Sequence, residues 1–167
     1  MCPDPDATAP PEPPAVTPRF AFTRKQYIGI PLLAAIPVLT LLGVFGEKRQ
    51  AARATSRSFE MRIEYPSRFR YRQVQPLDIT ITNVSPNTLD TVTVSLDTAY
   101  ITRFSSVRIS PPPAKNFVVA LSDVRPQESR LIHAELWGER YGSHRAEIIG
   151  AASADTVRKQ IHTFVFP

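Results

Sequence analysis

A chain of 167 residues, 43% of them hydrophobic, has room for one cored domain with appendages and excludes two large domains. Twenty Lys and Arg against fifteen Asp and Glu give a net charge of +5, compatible with nucleic acid, anionic lipid or an acidic protein and selecting none of them. The one cysteine, Cys2, excludes an intrachain disulfide and a thiolate zinc site.

Residues 1–25 read as an extended leader. Seven prolines fall within 1–18 (MCPDPDATAPPEPPAVTP), where they fix φ, remove N–H donors and leave little to bury. Residues 26–46 (QYIGIPLLAAIPVLTLLGVFG) then run 21 positions without a charge. At about 1.5 Å per residue such a helix spans the roughly 30 Å hydrocarbon core of a bilayer, which predicts a single transmembrane helix. Tyr27 and Phe45 near its ends, with Arg24, Lys25, Lys48 and Arg49 beyond them, fit interfacial anchors. Pro31 and Pro37 each remove a backbone hydrogen bond, which predicts a kink and a helix supported by neighbours. A cleaved signal peptide ending at Ala52-Arg53-Ala54 is the competing reading. It fits less well, because the apolar run is too long and a charged stretch separates it from Ala54. Residues 47–57 read as a basic juxtamembrane linker.

From residue 58 the period changes to two. Phe59, Met61, Ile63 and Tyr65 alternate with Glu60, Arg62 and Glu64, then Leu77, Ile79 and Ile81 with Asp78, Thr80 and Thr82. A turn over 83–87 (NVSPN) leads to Val92, Val94 and Leu96, and β-rich runs follow at 104–109, 117–121, 130–137, 145–151 and 156–166. Eight such strands without an amphipathic helix predict an all-β antiparallel sandwich over 58–167. The stretches IEYPSRFRY and PLDITITNVSPNTLDTVTVSL, with VRPQES and the closing TFVFP, resemble bacterial immunoglobulin-like domains of the adhesion-and-accessory type. That resemblance implies an immunoglobulin-like sandwich used as a spacer, docking surface or complex subunit, and it carries over no catalytic residue. The two core cysteines of antibody-like domains are absent.

No arrangement of catalytic groups emerges, so the expectation is a non-enzyme without cofactor or metal. His133, His144 and His162 lack ligand spacing, no serine lies in a G-x-S-x-G elbow, and the segment 138–142 reads as a hairpin connection. Charge is more informative. Residues 47–72 hold eight basic and three acidic side chains, whereas 73–167 hold nine of each. Arg62, Arg68, Arg70 and Arg72, with Phe69 and Tyr71 between them, form a strip that fits either anionic lipid headgroups or an acidic protein surface. Nucleic acid is not expected, since no recognition fold accompanies the strip.

Helix prolines, leader and basic strip all call for partners. The expected function is therefore a non-catalytic accessory subunit, anchored in an inner membrane with its sandwich in the periplasm, that stabilises an integral membrane protein complex. A cytoplasmic sandwich is the other orientation. The overall plan is similar to accessory subunits of photosynthetic reaction centre–light-harvesting complexes. The apolar run has no histidine to ligate a bacteriochlorophyll magnesium, so such a role would be scaffolding. The alternatives are an extracytoplasmic ligand-binding or adhesion module and an assembly factor.

Overall fold

The computed structural model describes residues 24–43, 46–153 and 155–167, and the side chains of 24–26 and 106 lie outside the description. Residues 1–23 of the leader expected over 1–25 are outside the described residues, as is Phe45, while Arg24 and Lys25 begin a helix with their side chains outside the description. The chain divides into two compact units, Met1–Leu42 and Gly43–Pro167.

The first unit contains helix α1 (Arg24–Leu41), with Pro31 and Pro37 both inside it. Leu42 N–H still donates to Val38 C=O at 2.9 Å, after which Gly43 turns the chain at φ +70°. The helix is apolar on every side: Ile28, Leu32, Leu33, Ile36, Val38 and Leu41 are all exposed. Among the described residues no helix is long and apolar enough to cross a membrane. The physical reason is that Arg24 and Lys25 occupy the first turn of α1. The uncharged remainder up to Leu41 rises only about 24 Å, short of the roughly 30 Å that a bilayer core needs.

The second unit is all-β, with nine strands in one continuous curled sheet: β1 (Lys48–Thr55), β2 (Phe59–Arg70), β3 (Val74–Asn83), β4 (Leu89–Leu96), β5 (Phe104–Ser110), β6 (Val118–Val124), β7 (Ser129–Gly138), β8 (Gly142–Ala152) and β9 (Asp155–Phe166). A four-residue helix α2 (Thr98–Ile101), capped by Asp97, links β4 to β5. The strand order is β5-β7-β3-β2-β9-β8-β4-β6, with β1 added to β2. Every pairing is antiparallel except β2 with β9. That pair joins the half β5-β7-β3-β2 to the half β9-β8-β4-β6, whose inner faces share one core, giving an immunoglobulin-like sandwich.

Alternation positions that core. Phe59, Met61, Ile63, Leu77, Ile79, Ile81, Ile132 and Leu136 line one half, and Val92, Val94, Ile148, Ile161 and Val165 the other. A Cβ on Gly150 of β8 would lie 3.0 Å from the Phe59 ring on β2, so the halves approach closely there and any larger residue would have to push that ring aside by a few tenths of an ångström. The inner face also carries Tyr100, whose hydroxyl bonds Thr163 Oγ1 at 3.0 Å. Asn83 is fully buried and fully used. Its amide donates to Asn87 and Val124 carbonyls at 2.8 Å, and its oxygen accepts from Ser85 N–H and Oγ.

Strand β1 lies within 47–57, the segment expected to be a linker, so the sheet begins ten residues before the expected start at 58. The sequence KRQAARAT gives no apolar alternation. Its strand is held by backbone pairing along β2 and by Ala52 and Ala54 packed on the core rim. A serine turn closes this hairpin, with Ser56 Oγ accepting from Phe59 N–H at 3.1 Å.

Candidate functional site

Strand β2 changes partners along its length. Residues 60–68 lie against β1 on one edge, and residues 68–70 then pair in parallel with 164–166 of β9. Pro66, which has no N–H to offer a ladder, sits just before the change, opposite Arg49 beside the register shift at Lys48 and Arg49. Where β1 and β9 part, a cleft of about 490 Å³ opens, lined by Lys48, Gln50, Ser67, Arg68, His162, Phe164 and Phe166.

Parallel register decides which side chains meet here. Arg68 lies beside Phe164 and Arg70 beside Phe166, all on the outward face, while Phe69 and Val165 between them point into the core. Phe164 and Phe166 meet edge to face at 4.8 Å. His162 is one alternation further along β9, and its Nε2 lies 2.6 Å from Ser143 Oγ. Gln50 is oriented by Tyr65, whose hydroxyl donates to Gln50 Oε1 at 3.0 Å and leaves the amide N–H groups free to donate. Ser67 Oγ donates to Lys48 C=O at 2.9 Å, tying the cleft floor to β1.

The predicted strip therefore separates into distinct environments. Arg62 pairs with Glu64 at 2.7 Å on a face where Arg53 pairs with Glu60 at 2.9 Å and Arg49 with Asp78 at 3.0 Å. Arg68, Arg70 and Arg72 have no carboxylate partner among the described residues. Phe69 is not a surface anchor: it is 1% exposed, stacks with Phe104 at 6.4 Å and covers Gly138, where a Cβ would come within 2.6 Å of the ring. Alternation forces this, since Phe69 shares the parity of Met61 and Ile63. Phe164 and Phe166 supply the interleaved aromatics instead. Their spacing of two with His162 was visible in the sequence, but their partner strand was not.

Beyond the cleft, Tyr71 is half-buried in the turn to β3. It meets Tyr141 edge to face at 5.3 Å, with the Arg72 guanidinium 5.3 Å from its ring centroid. Arg72 holds a left-handed φ of +61° in that turn, and its N–H donates to Gly138 C=O at 2.8 Å. Trp137, opposite Val74, is 43% exposed on the neighbouring face. The sequence reading missed Tyr141 and Trp137 as members of this end. Lys48 and Arg49, expected as interfacial anchors, are the first residues of β1.

The histidines occupy three settings. His133 Nδ1 meets Asp78 Oδ1 at 2.5 Å on the outer face of β3 and β7, His144 is buried with Nε2 donating to Arg140 C=O at 2.9 Å, and His162 lines the cleft. Among the described residues no group of three or more His, Cys, Asp or Glu could hold a metal ion.

No family model matches the chain, and no curated protein matches it. Among solved structures, it is similar to the CARDB domain of the PF1109 protein from Pyrococcus furiosus, crystallised with di-metal ions, at 13% identity and TM-score 0.42, over 62% of this chain and 87% of that one. The cupredoxin domain of amoB from Nitrosocaldus yellowstonii is similar at 10% identity and TM-score 0.43, over 67% and 89%. A PapD-like domain of human CEP192 is similar at 10% identity and TM-score 0.40, over 66% and 87%. At these scores the likenesses carry no functional argument, and the fold assignment rests on the strand pairing itself.

Proposed function

We propose that the chain is a non-catalytic accessory subunit, anchored in a membrane through residues 26–46, that docks on and stabilises an integral membrane protein complex. The observation that carries this reading is α1, which exposes Ile28, Leu32, Leu33, Ile36 and Leu41 on all its sides and so has no polar face to give to water. Such a surface is covered by lipid or by other apolar helices, and the uncharged run continues past Leu41 to residue 46. Pro31 and Pro37 favour a helix supported by neighbours. On the sandwich, Arg70, Arg72, Tyr71, Tyr141 and Trp137 have the composition of an interface hot spot, and an acidic protein surface is the complementary partner. The periplasmic placement and the narrower proposal of a reaction centre–light-harvesting complex rest on the sequence resemblance alone. A second reading, an extracytoplasmic ligand-binding module, is favoured by the cleft between β1 and β9.

The test is fractionation followed by affinity purification of the full chain in mild detergent. Wild type is expected to stay with membranes at alkaline pH and to bring a defined set of membrane proteins. Arg70→Glu with Arg72→Glu and Tyr141→Ala is expected to lose those proteins while remaining folded and membrane-bound. Release of wild type by alkali, or unchanged co-purification of the triple variant, would overturn the anchor or the docking surface respectively.

A further inference from the structure

We infer that the cleft between β1 and β9 binds the phosphate headgroup of an anionic phospholipid. Lys48 and Arg68 are direct cross-strand partners in the β1–β2 ladder, and both line the cleft. Like charges placed opposite each other in a sheet repel, and no carboxylate among the described residues forms an ion pair with either one. An anion between them turns that repulsion into two charge-assisted hydrogen bonds. The Gln50 amide, fixed by Tyr65, supplies a further neutral donor.

The rest of the cleft sets the ligand class. Phe164 and Phe166 make its outer wall apolar next to the cations, which suits an anion attached to an apolar body more than a free ion. About 490 Å³ is the size of a small-molecule site. Two cations, Lys48 and Arg68, line the pocket itself, a pair that matches a single phosphate group. Lys48 also follows Leu41 by seven residues, a step of at most about 25 Å along the chain. With the apolar run in a membrane, Lys48 is the second residue after it in the sequence, where basic side chains commonly meet anionic headgroups. The lipid source thus rests on the anchored reading above, although the electrostatics of the cleft do not.

The experiment uses the full chain in nonionic detergent, with added phosphatidylglycerol, phosphatidylcholine, inorganic phosphate or hexaglutamate. Retained lipid is read by native mass spectrometry, and stability by thermal unfolding. Phosphatidylglycerol is expected to be retained and to raise the unfolding temperature, with the other three additives giving at least about tenfold weaker binding. Lys48→Gln with Arg68→Gln is expected to abolish this response while leaving the ligand-free protein folded and no less stable, since a repulsion has been removed. Arg53→Gln with Arg62→Gln, the neutralised cross-strand pair, is expected to respond like wild type. Equal phosphatidylglycerol binding by the Lys48/Arg68 variant would overturn the site. Equal binding of phosphatidylcholine or phosphate would overturn the anionic-lipid assignment, and preferential binding of hexaglutamate would make the cleft a peptide site. Alkaline extraction of wild-type membranes is a separate measurement: release there removes the anchor, while the titration still decides the cleft.

Discussion

Along one β1–β2 ladder, Arg53 faces Arg62 and Lys48 faces Arg68. Glu60 and Glu64 neutralise the first pair, whereas the second stands in a cleft without a carboxylate. The two pairs contain the same kind of charge at similar exposure, so net charge per segment does not separate them. What separates them is the neighbouring strand. The first pair lies where β3 flanks β2, and the second where β2 leaves β1 for β9 and meets Phe164. A basic stretch of sequence thus becomes a satisfied surface at one end and a receptive one at the other.

The largest expected effect concerns Phe69, which lies between Arg68 and Arg70 in the chain but turns into the core. Phe69→Ala should cost about 3–5 kcal/mol in urea unfolding, the usual penalty for emptying a buried aromatic site. Gln substitution of Arg68 or Arg70 beside it should change stability by less than about 0.5 kcal/mol. A small effect at Phe69 would return it to the surface strip.

Next is the inner face of β9 beneath the cleft. Tyr100→Phe leaves Thr163, fully buried, without its hydroxyl partner and should cost about 1–2 kcal/mol by urea unfolding. Burial pushes the Tyr100 phenol up from 10.0 to about 12. Its contribution is therefore complete below pH 10 and is lost as pH rises through about 12, because the unfolded chain ionises first. The Phe variant should show a flatter stability profile in that alkaline window.

At the neutralised end of β2, Asp155 accepts hydrogen bonds from Ser58 Oγ at 2.5 Å and Ser58 N–H at 2.9 Å, holding the residue before β2 to the first residue of β9. These bonds, aided by Arg57, hold its carboxyl below the usual 3.8, against an opposing desolvation effect. A depressed carboxylate stabilises the fold above that value and loses the effect as pH falls through its folded pKa. Asp155→Asn should therefore be less stable near neutrality and show a shallower acid decline below about pH 4, as measured by circular dichroism.

The smallest effects test the charge contrast directly. Glu60→Gln with Glu64→Gln should leave Arg53 and Arg62 as bare as Lys48 and Arg68, at a cost of about 0.5–1 kcal/mol that added salt removes. Lys48→Gln should instead stabilise the ligand-free protein by a few tenths of a kcal/mol. A destabilising Lys48→Gln would instead show that Lys48 is as well compensated as Arg53 and Arg62, and that β9 has no part in distinguishing the two pairs.

The sequence by itself determined the all-β sandwich, because period-two runs such as Phe59–Ile63 and Leu77–Ile81 bury one face whatever their partners are. It also determined the apolar run over 26–46, since twenty-one uncharged positions are a property of composition. Tertiary structure alone decided that the basic segment 48–55 becomes a strand: its small and charged residues carry no period, and only the exposed edge of β2 selects the extended form. It decided equally that Arg68 meets Phe164 and that Tyr71 meets Tyr141, contacts between residues about 96 and 70 positions apart. Alternation tells which face a side chain takes, but not which distant strand will lie beside it. That choice follows from how the two halves of the sheet close over one shared core.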